Sequence, residues 1–305
     1  MEREFFTFFL EYKFTKNMVY VIIKIKGSEK MNIDYNKKWE SLTISNDFLF
    51  SKLMRDKEIC KEVLEVLLNI KIGDLKYLEE QKIIDIMLDA KSVRLDIYVE
   101  SEDKVYNIEM QVVNNYNLSK RSRYYQSIID INTIEKGSTY NNLKDTYIIF
   151  ICTFDPFNKK LSKYTFENIC VEDNSLKLCD GTKKIFFNSR AFEKEKNENI
   201  KAFLKYINGQ KEDNEFINKI NEKVEKIKQN KEWRREFMTF EMKLNETFEQ
   251  GLKQGVEQGV KQGIEQGVKQ GIEQGIVKQI KALQKFNISR DEIIENIVES
   301  YKVKK

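Results

Sequence analysis

Residues 93–112 limit the possible folds more than any other stretch of the chain. Two runs in which β-branched or aromatic residues alternate with polar ones flank a polar segment at residues 101–104. This pattern is typical of a β-hairpin. A turn centred on Glu102 and Asp103 places three apolar cross-strand pairs on one face: Val99 with Tyr106, Ile97 with Ile108, and Leu95 with Met110.

The opposite face of the predicted hairpin carries charge. Asp96 lies opposite Glu109, and Arg94 lies opposite Gln111, with facing Cβ atoms about 5 Å apart. Like charges at this separation destabilise a hairpin, and a divalent cation between the two carboxylates would remove the repulsion. Arg94 would either neutralise the site or pair with Glu109. The alternative is a solvated polar face with no catalytic role.

Composition excludes several kinds of chemistry. The chain contains no histidine, and Cys60, Cys152, Cys170 and Cys179 have no C-x-x-C spacing. Thiolate zinc sites and histidine-dependent nucleophilic catalysis are therefore not expected, and carboxylates remain the main candidate ligands. The net charge of +4 is a small excess that permits contact with nucleic acid without requiring it.

The remaining patterns predict a mixed α/β structure. Helical spacing of apolar residues indicates one or two helices over residues 46–69, with Ser45 as N-cap, and a further helix over residues 118–136 that ends at Gly137. Strands are expected at residues 83–88, in the hairpin, at 147–152 and at 184–187. The order helix, three-stranded meander, helix, strand is typical of layered α/β folds.

The sequence divides into four predicted parts. Residues 1–30 form an N-terminal extension without a core role, residues 31–210 the compact domain, residues 211–250 a charged helical segment, and residues 251–305 a glycine-repeat helix with a C-terminal helix. No apolar run approaches the roughly 20 residues that span a bilayer, and no signal-peptide cleavage site is recognisable. Because the cysteines show no pairing pattern, a cytoplasmic location without membrane contact is predicted.

The tail repeats with a period of four residues. Each glycine is followed by Leu, Val or Ile, and all but the last then by Lys or Glu. Four residues of α-helix turn the chain by about 400°, so the glycine stripe advances by roughly 40° per repeat. Glycine weakens an isolated helix but lets two backbones approach closely, so the tail is either a homo-oligomerisation helix or a solvated spacer. The repeated glycines are Gly251, Gly255, Gly259, Gly263, Gly267, Gly271 and Gly275.

A basic and aromatic cluster follows the acidic pair on the next predicted helix. Lys120, Arg121, Arg123 and Tyr124 are suited to contacts with phosphates and sugars of DNA. Such a cluster is usually a solvated helix face, and its position directly after the acidic hairpin is what suggests DNA binding.

Four motifs together resemble a known family. They are N-D-F-L-F at residues 46–50, L-D-x(12)-E-x-Q at residues 95–111, R-S-R-Y-Y-Q at residues 121–126 and F-D-P-F at residues 154–157. In this combination, over roughly residues 34–187, the chain resembles the recombination-promoting nuclease and putative transposase family of the PD-(D/E)XK superfamily. The resemblance implies a restriction-endonuclease-like core and DNA cleavage that depends on Mg²⁺ (or Mn²⁺).

The resemblance also implies roles for individual residues. Asp96 matches the family's aspartate, Glu109 its second acid, and Gln111 the place of the usual lysine, so these three are the predicted catalytic residues. Asp96, Glu109 and Asp47 are the predicted metal ligands, although Asp47 also suits the dipole at a helix start. Glutamine is neutral where a lysine would assist the attacking water, so the activity would be slow or would need another cation nearby.

Three functions are compatible with these patterns. The first is a metal-dependent DNA endonuclease acting in recombination or transposition-like transactions. The second is a catalytically inactive relative that binds DNA or a protein and oligomerises through its glycine-repeat tail. The third is a scaffold whose main property is self-association.

Overall fold

The computed structural model describes residues 34–84 and 93–301. The chain forms two compact units, the first ending at Met238 and the second beginning at Thr239. The predicted extension at residues 1–30 lies outside the described residues, as does residue 85 onward of the strand predicted at residues 83–88.

A six-stranded sheet in the order β1-β2-β3-β4-β6-β5 forms the centre of the first unit. The first three strands are an antiparallel meander, β3, β4 and β6 are parallel to one another, and β5 is an antiparallel edge strand. The predicted meander is therefore confirmed, with its first strand earlier than expected. The strands are β1 (Tyr77–Ile84), β2 (Val93–Glu100), β3 (Lys104–Gln111), β4 (Asp145–Cys152), β5 (Lys163–Phe166) and β6 (Thr182–Asn188).

The predicted hairpin register is confirmed for its inner pairs. Val99 pairs with Tyr106 and Ile97 with Ile108, where this ladder ends. The expectation that Leu95 shares a face with Met110 is wrong. Met110 packs in the cluster that contains Ile97, whereas Leu95 packs on the other side of the sheet. Strict alternation does not continue past the point where the β2–β3 ladder opens.

Helices cover both faces of the sheet, as expected where parallel strands are buried. Parallel strands need a long crossover, and α4 (Leu118–Thr133) supplies it between β3 and β4. This helix ends before the predicted Gly137. The other helices of the first unit are α1 (Tyr35–Glu40), α2 (Asp47–Met54), α3 (Lys57–Leu68), α5 (Glu198–Ile207) and α6 (Glu215–Gln229), with the start of α7 (Lys231–Gln284).

The N-cap of α2 is Asn46 and not the predicted Ser45. The Asn46 side chain accepts hydrogen bonds from the backbone N–H groups of Phe48 (3.0 Å) and Leu49 (3.3 Å). Ser45 lies one residue too early, and its hydroxyl bonds to that of Thr43 instead. The cap fixes where α2 begins and so places Asp47 at its first position.

The first unit extends well past the predicted boundary at residue 210. Helix α6 repeats apolar residues at helical spacing, and its side chains at Phe216, Ile220, Val224 and Ile227 are buried in the main core. Phe237 packs there too, with its ring 5.4 Å from that of Trp39. Part of the predicted charged segment at residues 211–250 therefore belongs to the α/β body.

The second unit contains the rest of α7 and the C-terminal helix α8 (Arg290–Tyr301). These two helices contact each other near the chain end, where Gln279 donates to Asn296 (2.6 Å) and Ser300 (3.3 Å). A Cβ atom added at any repeat glycine from Gly251 to Gly271 would have no heavy atom of another described element within 4 Å. Within the described ranges, no helix is both long and apolar enough to cross a membrane.

Candidate active site

Asp96 and Glu109 lie where β2 and β3 separate. Past the Ile97–Ile108 pair, side chains take over the hydrogen bonds between the two strands. The Asp96 N–H donates to Glu109 Oε1 (3.1 Å), and the Met110 N–H donates to Asp96 Oδ2 (3.3 Å). The opened ladder therefore brings the two predicted acids together, each bonded to the other's strand.

Glu109 is buried and accepts hydrogen bonds through both of its carboxylate oxygens. Its side chain is 2% exposed, Oε1 also accepts from Asn107 Nδ2 (3.2 Å), and Oε2 accepts from Arg121 Nη2 (3.1 Å). The Arg121 guanidinium also lies 5.3 Å from the Tyr125 ring centre and 5.1 Å from that of Phe150. The sequence predicted that Arg121 contacts DNA phosphates. In the structure its guanidinium instead points inward and pairs with the buried Glu109 carboxylate.

The three predicted acidic ligands influence one another. Burial, and next the Asp47 charge, raise the pKa of Asp96, against the opposing effects of the Met110 N–H, Arg121 and Arg94. Burial and then the Asp96 charge raise the pKa of Glu109, against the effect of Arg121. Desolvation raises the pKa of Asp47, and Arg94 opposes it. Besides burial, therefore, repulsion from Asp47 acts on Asp96 and repulsion from Asp96 acts on Glu109.

Arg94 and Gln111 take different positions around the acids. Arg94 is exposed, and its charge lowers the pKa of both Asp47 and Asp96, which corresponds to the neutralising role that the sequence left open. Gln111 is the last residue of β3, and its side-chain amide donates to the Met110 carbonyl (2.8 Å). It therefore lies at the strand end beside the acidic pair.

Two buried polar atoms at the site have no hydrogen-bond partner among the described residues. They are Asn107 Oδ1 and Arg121 Nε. Sequence reasoning missed Asn107, although a signal was present: it precedes Glu109 by two residues in a strand and so shares its face. Asn107 is completely buried and holds Glu109, so it belongs to the site.

The residues of this site lie within a region that matches a known family. Residues 44–261 match the family described as PD-(D/E)XK nuclease family transposase. The chain belongs to this family. The match includes the hairpin acids, Asp47 and the whole of α4. No curated protein and no solved structure gives a significant match.

Within this nuclease family member, the other predicted DNA-contact residues lie on α4. Lys120, Arg123 and Tyr124 are exposed, unlike Arg121 on the same helix. The difference arises because the side chains of neighbouring residues in an α-helix point to different sides of its axis. Their contact with DNA stays a prediction.

The donor set suits a hard divalent cation. Asp96 and Glu109 offer only oxygen atoms, and Asn107 Oδ1 is a buried acceptor without a donor. The described residues contain no group of three or more His, Cys, Asp or Glu side chains able to hold a metal. Mg²⁺, however, is usually held by one or two carboxylates, with water and substrate phosphate at its other positions. Two acidic side chains are therefore enough to bind Mg²⁺ at this site.

Proposed function

We propose that this protein is a metal-dependent DNA endonuclease that hydrolyses phosphodiester bonds in recombination or transposition-like transactions. The observation that carries the proposal is the convergence of Asp96 and Glu109 at the opened β2–β3 ladder, in a chain of a nuclease family. Two acids held together, with raised pKa values, are more typical of a functional site than of a solvated strand face.

Asp96 and Glu109 would hold the cation, Mg²⁺ or Mn²⁺, with Asp47 as a further acid nearby. When bound, such a cation lowers the pKa of water and neutralises charge on the scissile phosphate. Gln111, with its neutral amide, would orient the attacking water by hydrogen bonding. Arg121 would supply the fixed positive charge that the missing lysine would otherwise provide, because its guanidinium already bonds Glu109.

Plasmid nicking tests this proposal. We expect the full-length protein to relax supercoiled plasmid with Mg²⁺ or Mn²⁺, and Asp96→Asn or Glu109→Gln to lower the rate at least 100-fold, since each removes a charge that the cation needs. Glu102→Gln, in the exposed hairpin turn, is the matched control and should cleave like the wild type. Cleavage that persists in EDTA, or in both acid variants, would reject the proposal.

One observation favours a second function, that of an inactive DNA- or protein-binding relative. Glu109 already accepts three hydrogen bonds, from Asp96 N–H, Asn107 and Arg121, and Gln111 carries no charge. Calorimetric titration with Mg²⁺ and Mn²⁺ separates the two functions. Cation binding that disappears in Asp96→Asn supports the nuclease, and DNA binding without cation binding supports the inactive relative.

We also propose self-association through the glycine-repeat tail. Each glycine of the helix is followed by an apolar residue, and Leu252, Ile264, Val268 and Ile272 are exposed in the described chain. Close contact between glycine backbones would cover this surface. Light scattering of the full chain and of a variant lacking residues 250–276 tests this, and equal association states would argue against it.

A further inference from the structure

Three parallel strands end at the same edge of the sheet as the acidic pair. Gln111 at the end of β3 is paired with Cys152 at the end of β4, which is paired with Asn188 at the end of β6. The segments that follow these strands therefore emerge side by side, and ligands of open α/β sheets bind outside this kind of edge.

Hydrogen bonds tie these three segments together. The Thr153 N–H donates to the Gln111 carbonyl (3.0 Å), and its hydroxyl donates to the Val112 carbonyl (3.2 Å). Arg190 Nε donates to the Thr153 carbonyl (2.9 Å). The loop at residues 112–117 is therefore held against the segments that follow β4 and β6.

This 112–117 loop exposes large apolar and aromatic side chains directly after Gln111. Val112 is 51% exposed, Val113 is 67% exposed and Tyr116 is 89% exposed. Tyr116 has φ +53°, a left-handed conformation that an aromatic residue rarely adopts, and its N–H bonds Asn114 Oδ1 at 2.9 Å. Three such side chains within residues 112–116 of one loop are unusual for a surface that contacts only water.

The surroundings of the loop are basic. Lys159, Lys160 and Arg190 are exposed on the neighbouring segments, and Lys120 and Arg123 on the first turns of α4. The segment that follows β4 also carries Asp155, whose carboxylate accepts from Tyr164 Oη (2.6 Å) and the Lys160 N–H (2.7 Å). Its single negative charge is outnumbered by the positive charges of Lys159 and Lys160 on the same segment. Exposed apolar tips beside segments that carry exposed positive charges complement a polyanion with exposed base faces.

We infer that the 112–117 loop binds unpaired bases, with Tyr116 stacking on a base and the basic residues around it holding the phosphates. The substrate class is DNA that is single-stranded or locally melted, because base faces in an intact duplex are covered by their neighbours. The inference rests on the proposed function in one respect, that the polyanion is DNA. It adds that the bound DNA has unpaired bases.

Binding measured without cleavage tests the inference. The full-length protein in EDTA is titrated into fluorescein-labelled poly(dT), a fully paired duplex and the same duplex with a central mismatched bubble. We expect Tyr116→Ala to weaken binding to poly(dT) and to the bubble about tenfold, the effect of losing one stacked base, and to leave duplex binding within twofold. Tyr116→Trp should keep the affinity.

A matched control and a direct stacking signal sharpen the test. Tyr140 is 83% exposed and precedes the start of β4, at the other end of this strand, so Tyr140→Ala should bind all three DNAs like the wild type. In an oligonucleotide with 2-aminopurine among unpaired bases, the wild type and Tyr116→Trp should quench the fluorescence, and Tyr116→Ala should not.

The outcomes separate the inference from the nuclease proposal. Equal weakening for duplex and unpaired DNA, no change on Tyr116→Ala, or absent quenching would overturn the inference even if the plasmid is nicked. A Tyr116→Ala variant that changes the association state without changing DNA binding would assign the loop to contact with a second copy and would also overturn it. If Tyr116→Ala weakens binding to unpaired DNA and not to the duplex, the result supports the inference even if the protein does not cleave DNA.

Discussion

The α/β unit and the glycine-repeat unit are stabilised by different interactions. The first buries two large apolar clusters on the two faces of its sheet, whereas residues 239–301 bury only two apolar side chains, Ile293 and Ile297. Burial is the main stabilising contribution to a fold, and backbone hydrogen bonds add little net free energy. A regular helix in the second unit is therefore a weak guide to stability there.

Truncating a core side chain should produce the largest difference between the units. Phe203→Ala removes a completely buried ring beside Phe216 and should lower the free energy of unfolding by about 3–5 kcal/mol. Val268→Ala, on the exposed tail, should change it by less than about 0.5 kcal/mol. Urea unfolding followed by tryptophan fluorescence reports the first unit alone, because Trp39 and Trp233 both lie there.

Far-UV circular dichroism follows the unfolding of the tail helix, which tryptophan fluorescence does not report. A Val268→Ala loss that shrinks as the protein is diluted would show that another copy covers this surface in solution, because dilution also dissociates the wild type. That result would remove the contrast between the units.

Removing a buried charge should have the next largest effect. Arg121→Ala leaves the Glu109 carboxylate buried without its ion-pair partner and should cost about 2–3 kcal/mol in the same unfolding assay. Arg123→Ala on the same helix, and Lys269→Ala on the tail, remove exposed charges and should change stability by less than about 0.5 kcal/mol. Equal losses for Arg121 and Arg123 would mean that the Glu109 pair contributes nothing.

Replacing helical glycines should act in the opposite direction. Gly259→Ala with Gly263→Ala should stabilise the tail helix by about 1–2 kcal/mol in a circular dichroism melt, because both positions face open space. Gly275→Ala is the control: an added Cβ would lie 2.6 Å from Tyr301 Oη, so the gain should be lost. A double variant that melts lower would show that these glycines touch something in solution.

The smallest expected effect depends on pH. The folded-state pKa of Asp96 is raised above 3.8, so wild-type stability falls as the pH rises through that folded pKa. Asp96→Asn should therefore be more stable at pH 7.5, in EDTA, by on the order of 1 kcal/mol, and this gain should vanish as the pH falls toward 3.8. The replacement amide can still accept from the Met110 N–H.

Asp103→Asn is the control with the opposite sign. The hydrogen bond from Lys104 lowers the pKa of Asp103, so the wild type gains stability above 3.8 and loses it as the pH falls through the lower folded value. Its substitution should slightly destabilise the protein at neutral pH. A pH-independent effect of Asp96→Asn would show that the folded-state pKa of Asp96 is not raised.

Local patterns predicted the sheet better than they predicted the site. The hairpin register and the buried strand at residues 147–152 were confirmed, because alternation and a polar turn are encoded within a few residues. The family was also recognised from motifs and confirmed by the match over residues 44–261. Leu95 was placed on the wrong face, since the opening of the ladder depends on side-chain bonds that a pattern does not contain.

The sequence did not predict which side chains bind the two acids. Arg121 reaches Glu109 only after α4 folds back across the sheet, so no spacing in the chain identifies the pair. The first unit continues to Met238 for a similar reason, because α6 is a charged helix in sequence and a core helix in the structure. The roles of Gln111, Lys120, Arg123 and Tyr124 stay predictions.

The parallel pairing of β4 with β6 has a consequence for synthesis on the ribosome. About thirty residues separate the end of β4 at Cys152 from the start of β6 at Thr182. At roughly 5–20 residues per second, the apolar edge of β4 is without its final neighbour for a few seconds during translation. In that interval the nascent chain presents a template for mispairing, so we expect chaperone dependence to be concentrated in this window.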